Sequence, residues 1–156
     1  SPNGYGSTTK AGVLVGATYY SGTALYWYGN SSGTNCTVYA YIRGNDGYRT
    51  AGAYNLTPGQ YHHLVLVNDY TNSSINLYAN GVLNGTYAGP TQDYNPGLTP
   101  SAGNIGINKA QVDGGGTQVY SNLPCLVPIT KIYNRSLSSA EVTQNFKKYQ
   151  TRFGLA

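Results

Sequence analysis

Hydrophobic and polar residues alternate with a period of two in the first third of the chain. In residues 37–43 the apolar set is Val38, Ala40 and Ile42, and the set between them is Tyr39, Tyr41 and Arg43. Successive side chains of a strand point to opposite faces, so we expect the first set to face a core and the second an aromatic, polar surface. The pattern predicts a half-buried β-strand.

Other apolar segments predict further strands. They are residues 12–16, 24–28, 74–79, 82–87, 104–107 and 128–134. Asn80-Gly81 separates two of these segments, and this dipeptide is typical of a two-residue hairpin turn. Residues 61–68 differ, because Leu64 to Val67 are apolar at every position. Such a run predicts an inner strand that is buried on both faces.

One helix is predicted near the C-terminus. Ser138 followed by Glu141 is a capping box, which marks a helix start. The apolar positions that follow share one face of a helix, and they are Val142, Phe146 and Tyr149. Gly154 is expected to end the helix.

Composition narrows the class of protein. Charged residues make up 9% of the 156 residues, whereas Gly numbers 21 and Tyr 17, which is typical of short strands and tight turns in one domain. The net charge is +4, but no basic stripe runs through the body of the chain, so nucleic acid is not an expected partner. No apolar run is long enough to cross a bilayer, so membrane insertion is not expected either.

Two cysteines, Cys36 and Cys125, lie 89 positions apart, a spacing that fits no zinc or redox motif. They are expected either to form a disulfide or to remain as two buried thiols, depending on whether the compartment is oxidising. A disulfide that closes so long a loop would contribute on the order of 4 kcal/mol to stability.

Catalytic groups are sparse. Glycoside hydrolysis needs two carboxylates a few ångströms apart, but the single glutamate, Glu141, is already assigned to the helix cap. The aspartates lie scattered in or beside predicted turns, at Asp46, Asp69, Asp93 and Asp113. His62 and His63 are adjacent on a strand, so we expect one packed and one hydrogen-bonded ring rather than a metal site. The sequence therefore predicts a protein that is not an enzyme and needs no cofactor.

Calcium and N-linked glycans are the two surface groups for which candidate residues exist. Calcium binds at sandwich rims through Asp and backbone carbonyls, and Asp93 and Asp113 are the candidate ligands. Six Asn-x-Ser/Thr sequons are candidate N-glycosylation sites in a eukaryotic host, at Asn30, Asn35, Asn55, Asn72, Asn84 and Asn134. In a bacterial virus none of them is expected to carry a glycan.

Aromatic residues concentrate in the first third of the chain. We predict a ligand or interface face made of Tyr39, Tyr41, Arg43, Trp27 and Tyr28. Tyrosine stacks on sugars and is also enriched at protein interfaces, so both kinds of ligand stay open for this face.

Four segments, in order, resemble laminin-G-like domains of the concanavalin A-like lectin/glucanase type. Residues 59–66 are similar to that family's Trp-His-His-Val-Ala strand, and residues 75–81 to its Leu-Tyr-Val-Asn-Gly hairpin. Residues 104–107 resemble its Ile-Gly strand, and residues 132–142 resemble its Tyr-Asn-Arg-Ala-Leu-Ser-x-x-Glu-Ile ending. The match covers residue 59 to the C-terminus and reaches back more weakly to residue 11.

The resemblance implies an all-β fold, a two-sheet antiparallel jelly-roll sandwich of the concanavalin A-like type with one short C-terminal α-helix. It implies a single domain over residues 1–156 with rim loops that bind glycans or proteins. Two features depart from the family. We expect the chain to lack some of the family's N-terminal strands and a neighbour or a further segment to complete the sheet. Residues 122–130 contain two prolines in place of an acidic pair, which counts against a calcium or ligand site that uses those carboxylates.

The tail, residues 144–154, further resembles versions found in structural proteins of aquatic phages and large viruses. We therefore expect a non-catalytic structural or adhesion module on a virion surface or in another extracellular assembly. Its expected partners are like subunits or another structural protein, with glycans as a further ligand class. The alternative is a free-standing glycan-binding, lectin-like domain of a secreted or cell-surface protein.

Overall fold

The computed structural model describes residues 10–17, 22–29, 36–44, 47–89, 105–109, 119–120 and 123–155. The strands in these ranges are β1 (Lys10–Ala17), β2 (Gly22–Gly29), β3 (Cys36–Gly44), β4 (Gly47–Leu56), β5 (Leu64–Asp69), β6 (Ser74–Ala79), β7 (Val82–Ala88), β8 (Ile105–Lys109) and β9 (Val119–Tyr120). The helix is α1 (Ser139–Phe153).

The strands form two sheets. The larger sheet has the order β4-β3-β2-β1-β8, and the two-residue β9 pairs in parallel with β1. The smaller sheet has the order β5-β6-β7, and every pairing other than that of β9 is antiparallel. The predicted all-β sandwich with a short C-terminal helix is confirmed.

The hydrophobic core lies between the sheets. Its buried members from the larger sheet include Leu14, Leu25, Trp27, Val38, Ala40 and Ile42, and those from the smaller sheet are Ile75 and Leu77. The predicted inward face of β3 is therefore confirmed. Full burial of side chains of this size stabilises the fold by roughly 1.5–3 kcal/mol each.

The β6–β7 hairpin turns at Asn80-Gly81, as predicted. Both residues have positive φ, 49° and 78°, which a type I′ turn requires. The side-chain oxygen of Asn80 accepts a hydrogen bond from the His63 N–H at 2.9 Å, and the Asn80 N–H donates to the His63 carbonyl at 2.8 Å. The turn is thereby fastened to the start of β5.

The helix α1 covers the outer face of the smaller sheet. Both halves of the predicted capping box at Ser138 and Glu141 are present, and Gly154 ends the helix in the left-handed conformation with φ 58°. The side chains that join α1 to the sheet form one buried cluster of Val67, Tyr78, Leu137 and Val142. Both faces of β5 are therefore covered, one by the core and the other by the helix.

The sandwich is closed where β4 meets β7. Gly52 and Gly85 lie so close that a Cβ built on Gly85 would be 2.5 Å from the Gly52 Cα. The Ala53 N–H donates to the Asn84 side-chain oxygen at 3.2 Å across the same contact. Two side-chain-free positions thus bring the backbones of the sheets into direct contact.

Two strand predictions need correction, and β4 was not predicted. Residues 128–134 form no strand: Pro128 lacks a backbone N–H, and no described strand pairs with this segment. β4 was not predicted, since Gly52, at φ 69°, interrupts its alternation. β5 begins at Leu64 and, within the described ranges, lies at an edge of its sheet rather than inside it.

Candidate functional site

The free edge of β5 is the candidate site. The hydrogen bond between the Asn80 N–H and the His63 carbonyl shows that His63 faces β6. Because antiparallel strands alternate in this respect, the odd-numbered residues of β5 pair with β6 and the even-numbered residues point their N–H and C=O groups away from it. The outward-facing residues are Leu64, Leu66 and Asn68.

These outward-facing groups have few partners. The Asn68 carbonyl accepts a hydrogen bond from the Ser136 hydroxyl at 2.7 Å. Among the described residues, no hydrogen bond reaches the backbone N–H or C=O of Leu64 or Leu66 on this side. Two side-chain atoms at the edge, Nδ1 of His63 and Oδ1 of Asn68, are buried without a partner in the described structure. Buried polar groups are normally hydrogen-bonded, so the unpartnered groups at this edge are candidate contacts for a further segment.

A cavity of about 840 Å³ lies beside this edge, between β5 and residues 123–137. We call it the β5 groove. Its walls are mostly apolar and include Leu14, Leu25, Leu64, Leu66, Leu126 and Ile129. The residues that line the groove include Leu64 to Asn68, which is nearly the whole of β5.

The outer wall of the β5 groove is an irregular segment with exposed apolar side chains. Leu126 is 80% exposed and Ile132 is 63% exposed. Ile132 lies in the stretch that the sequence predicted as a strand, residues 128–134, and Leu126 lies just before it. Contiguous exposed apolar surface of this kind marks an interaction site more often than it marks plain surface.

Neither carboxylate in the described ranges is free for catalysis. Arg135 donates to Glu141 at 2.6 and 3.0 Å, and with the Ser138 N–H it lowers the pKa of this carboxyl from 4.5 to about 2. The Asn72 side chain and backbone donate to Asp69 and lower its pKa as well. Both groups therefore stabilise local structure.

The calcium prediction stays a prediction. Asp93 and Asp113 lie outside the described residues. In the part of the chain that the structure describes, no three His, Cys, Asp or Glu side chains come together as a metal-binding group.

The tyrosines of the predicted ligand face form a cluster on the outer face of the larger sheet. Ring centroids are 4.9 Å apart for Tyr26 and Tyr28, 5.6 Å for Tyr26 and Tyr41, and 5.7 Å for Tyr28 and Tyr39. Tyr26 was missed, although its spacing of two from Tyr28 places it on the same face. The cluster is not freely exposed, since Tyr26 is 5% exposed and the other three are half-buried.

Two other residues of that predicted face have different outcomes. Trp27 pairs with Val38, so it points into the core, where it is 1% exposed. The prediction for Trp27 was wrong, because adjacent residues of a strand, such as Trp27 and Tyr28, lie on opposite faces. Arg43 precedes Gly44, the last residue of β3, and its side chain lies outside the described part.

The two histidines behave as predicted. His62 accepts from the Thr57 N–H at its Nε2 (3.0 Å) and shares a hydrogen bond between its Nδ1 and the Tyr54 hydroxyl (3.0 Å). His63 packs against Phe146, with ring centroids 5.9 Å apart, and burial lowers its pKa. One ring is hydrogen-bonded and the other is packed.

The cysteines are both free thiols in the structure, Cys36 buried and Cys125 exposed. The expectation of two buried thiols is therefore wrong for Cys125. Burial, and secondarily the neighbouring Cys125, raises the pKa of Cys36 to about 12.

Four of the six sequon asparagines, Asn55, Asn72, Asn84 and Asn134, are exposed. Asn30 and Asn35 lie outside the described residues. Glycosylation at these positions stays a prediction. No helix in the described ranges is both long and apolar enough to cross a membrane.

Comparison with known proteins agrees with this architecture. The laminin-G model described as the concanavalin A-like lectin/glucanases superfamily matches residues 2–143, further toward the N-terminus than the sequence motifs indicated. A solved structure from Clostridium thermocellum ATCC 27405, residues 221–444 of an S-layer domain-containing protein, is 21% identical, with a TM-score of 0.48. That match covers 82% of this chain and 58% of the other. A search among curated proteins finds no match. On the family match, the chain belongs to the concanavalin A-like lectin/glucanase superfamily.

Proposed function

We propose that this chain is a non-catalytic structural module of an extracellular assembly, such as a virion surface, and that a neighbouring subunit completes its smaller sheet. The contact is an extended segment of the neighbour that enters the β5 groove and pairs with β5. The observation that carries the proposal is a mismatch: β5 has the sequence of an inner strand, but among the described strands it has the position of an edge strand.

The backbone groups of the edge support strand addition. A strand laid along β5 would hydrogen-bond to the N–H and C=O groups of Leu64 and Leu66, as in other β-augmented complexes. Native edge strands are usually protected by lysines, prolines or bulges. In β5 the one charged residue is Asp69, at the end of the strand, and its pairing with β6 is regular.

The surroundings of the groove define the chemistry of the added segment. One face of the segment would meet the core leucines, and the other would meet aromatic side chains of α1, among them Tyr149 and Phe153. The segment should therefore be apolar on both faces, about six residues long to match β5, and free of proline where it hydrogen-bonds. Because the contact is made largely by backbone groups and apolar side chains, it needs no metal and no catalytic group.

A matched pair of variants tests the proposal. Leu64→Pro removes an N–H that faces the groove and not β6, and proline is tolerated at the first residue of a strand. Leu64→Ala trims the side chain to a similar extent but keeps the N–H. The probe is a synthetic peptide of six alternating valines and isoleucines flanked by lysines, and its binding is followed by amide chemical-shift changes.

Wild type and Leu64→Ala should bind the peptide, whereas Leu64→Pro should bind at least tenfold more weakly. A second peptide with a central proline should not bind. Equal binding by both variants, or no shift change at Leu64 and Leu66 in the wild type, would contradict strand addition. Light scattering of the concentrated protein then decides whether the donor is a like subunit, which gives Leu64-dependent oligomers, or another structural protein, which leaves a monomer.

Glycan recognition is a second candidate function, and the tyrosine cluster of Tyr26, Tyr28, Tyr39 and Tyr41 favours it. Tyrosine rings stack on sugar faces, and Tyr39 and Tyr41 keep partial exposure. A glycan array probed with the wild type and with Tyr39→Ala tests this candidate. Binding to one sugar class that is lost in Tyr39→Ala would support it, and an array without signal would rule it out.

A further inference from the structure

Cys36 and Cys125 line the same cavity, the β5 groove. Cys36 begins β3, and its side chain packs in the core cluster that also contains Leu123. The Cys125 N–H donates to the Leu123 carbonyl at 2.7 Å. This three-residue turn keeps Cys125 beside Leu123, which belongs to the same buried cluster as Cys36.

A further observation agrees with this placement. The charge of a Cys125 thiolate is felt at Cys36, where it acts together with burial to raise the pKa.

We propose that Cys36 and Cys125 form an intrachain disulfide that fastens the outer wall of the β5 groove to β3. The bond is a covalent site separate from strand addition, and it stands whether or not β5 takes a partner strand. Its structural consequence follows from where residues 123–137 are anchored: Leu123 and Leu137 are buried at the two ends, while Cys125 and Leu126 between them are exposed. The disulfide would add an anchor at the free part of this wall.

The reaction is thiol–disulfide exchange with a disulfide oxidant, for which we use glutathione disulfide. The Cys125 thiolate attacks one sulfur of the oxidant, forms a mixed disulfide and releases one glutathione thiolate. The Cys36 thiolate then attacks the Cys125 sulfur and releases the second glutathione. The two protein thiols lose two electrons and two protons, and one glutathione disulfide becomes two glutathione thiols.

Exposure sets the order of the two steps. Partial burial also raises the pKa of Cys125, but that of Cys36 is raised to about 12 and Cys36 is buried, so the exposed Cys125 reacts first. Because the thiolate is the attacking species, the second step should be slow at neutral pH and should accelerate roughly tenfold per pH unit. A mixed disulfide at Cys125 should therefore accumulate transiently.

The experiment uses the full chain, purified with both thiols reduced and then incubated with glutathione disulfide. Intact mass and non-reducing peptide mapping follow the products, and the unfolding midpoint is measured by differential scanning calorimetry. We expect a product lighter by two hydrogen atoms, a peptide pair joined through Cys36 and Cys125, and a midpoint raised by roughly 10 °C.

The variant Cys36→Ser is the matched control, because it should stop at the glutathione adduct on Cys125. If the wild type also stops at that adduct, or forms only dimers through Cys125, the proposal is wrong. The wild-type result decides the question even where Cys36→Ser folds poorly. Peptide binding at β5 is measured separately, so a missing disulfide and a missing partner strand are distinguishable outcomes.

Discussion

The two long edges of this sandwich differ in how they end. At the β4–β7 edge, Gly52 and Gly85 bring the two backbones together, and the Ala53–Asn84 hydrogen bond seals the contact. At the β5 edge, no strand of the described ranges pairs with the outer side of β5, and a cavity of about 840 Å³ lies beside it. Glycines, which have no side chains, close the β4–β7 edge. The β5 edge is lined with leucines and with backbone groups that have no partner among the described residues.

This difference shows that the sequence of a strand indicates whether the strand suits the edge or the interior of a sheet. β7 exposes most of its side chains, as a strand at a finished edge can. β5 is apolar on both faces and covered on both, yet no strand in the described part of the chain pairs with one of its sides. The backbone N–H and C=O groups of Leu64 and Leu66, which have no hydrogen-bond partner in the described structure, are the basis for proposing a partner strand.

The largest predicted effect comes from a substitution at the closed edge, where β4 meets β7. In Gly85→Val, the new Cβ would meet the Gly52 Cα at 2.5 Å and its N at 2.6 Å, and backbone atoms cannot move aside cheaply. We expect a loss of about 3 kcal/mol in the free energy of unfolding by urea. Leu126→Ala at the open edge is the control and should cost less than about 0.5 kcal/mol, because Leu126 is exposed. Equal losses would remove the distinction between the edges.

A second prediction loosens the helix that covers the open side. Ser138→Ala removes the hydroxyl that accepts from the Glu141 N–H, and loss of such a cap costs about 1 kcal/mol. Amide exchange should accelerate in β5, against which α1 packs, and stay unchanged in β4. Equal acceleration in both strands would show that the two edges unfold together.

A third prediction compares two asparagines. Asn84→Ala at the closed edge removes the acceptor of the Ala53 N–H and should cost about 1 kcal/mol. Asn68→Ala at the open edge removes a buried oxygen without a partner in the described structure, so we expect a change within about 0.5 kcal/mol. Chemical denaturation measures both. A larger cost for Asn68→Ala would indicate that its side chain is satisfied.

The smallest effect concerns pH. The pKa of Glu141 is lowered from 4.5 to about 2, first by Arg135, so this carboxylate stabilises the fold above pH 4.5, and the contribution is lost as the pH falls toward 2. The unfolding midpoint of the wild type should therefore fall more steeply over that range than that of Glu141→Gln. Parallel curves would show that the ion pair does not contribute to stability.

The parts of the fold that sequence predicts are those set by local chemistry. Alternation fixes the two faces of β3, Asn80-Gly81 fixes a hairpin, and Ser138 with Glu141 fixes the start of α1. Each of these signals depends only on residues close in the chain, so it can be interpreted without knowing the rest of the fold.

The parts that sequence does not predict depend on which segments meet. The apolar run in β5 indicates that both faces of the strand are covered. It does not indicate that one side of the strand lacks a hydrogen-bonded neighbour among the described strands. Gly52 gave no strand signal because its role is the contact with Gly85, more than 30 residues away. Tyr26 could have been found from its spacing to Tyr28, and Trp27 could have been rejected by the same rule.

Amide hydrogen exchange at β5 tests the central claim most directly. In the isolated monomer, we predict that Leu64 and Leu66 exchange rapidly while Val65 and Val67, which pair with β6, are protected. In the assembled protein, or with the added apolar peptide, Leu64 and Leu66 should become as protected as their neighbours. Leu64 and Leu66 amides that are already protected in the monomer, or that stay exposed in the assembly, would contradict strand addition at this edge.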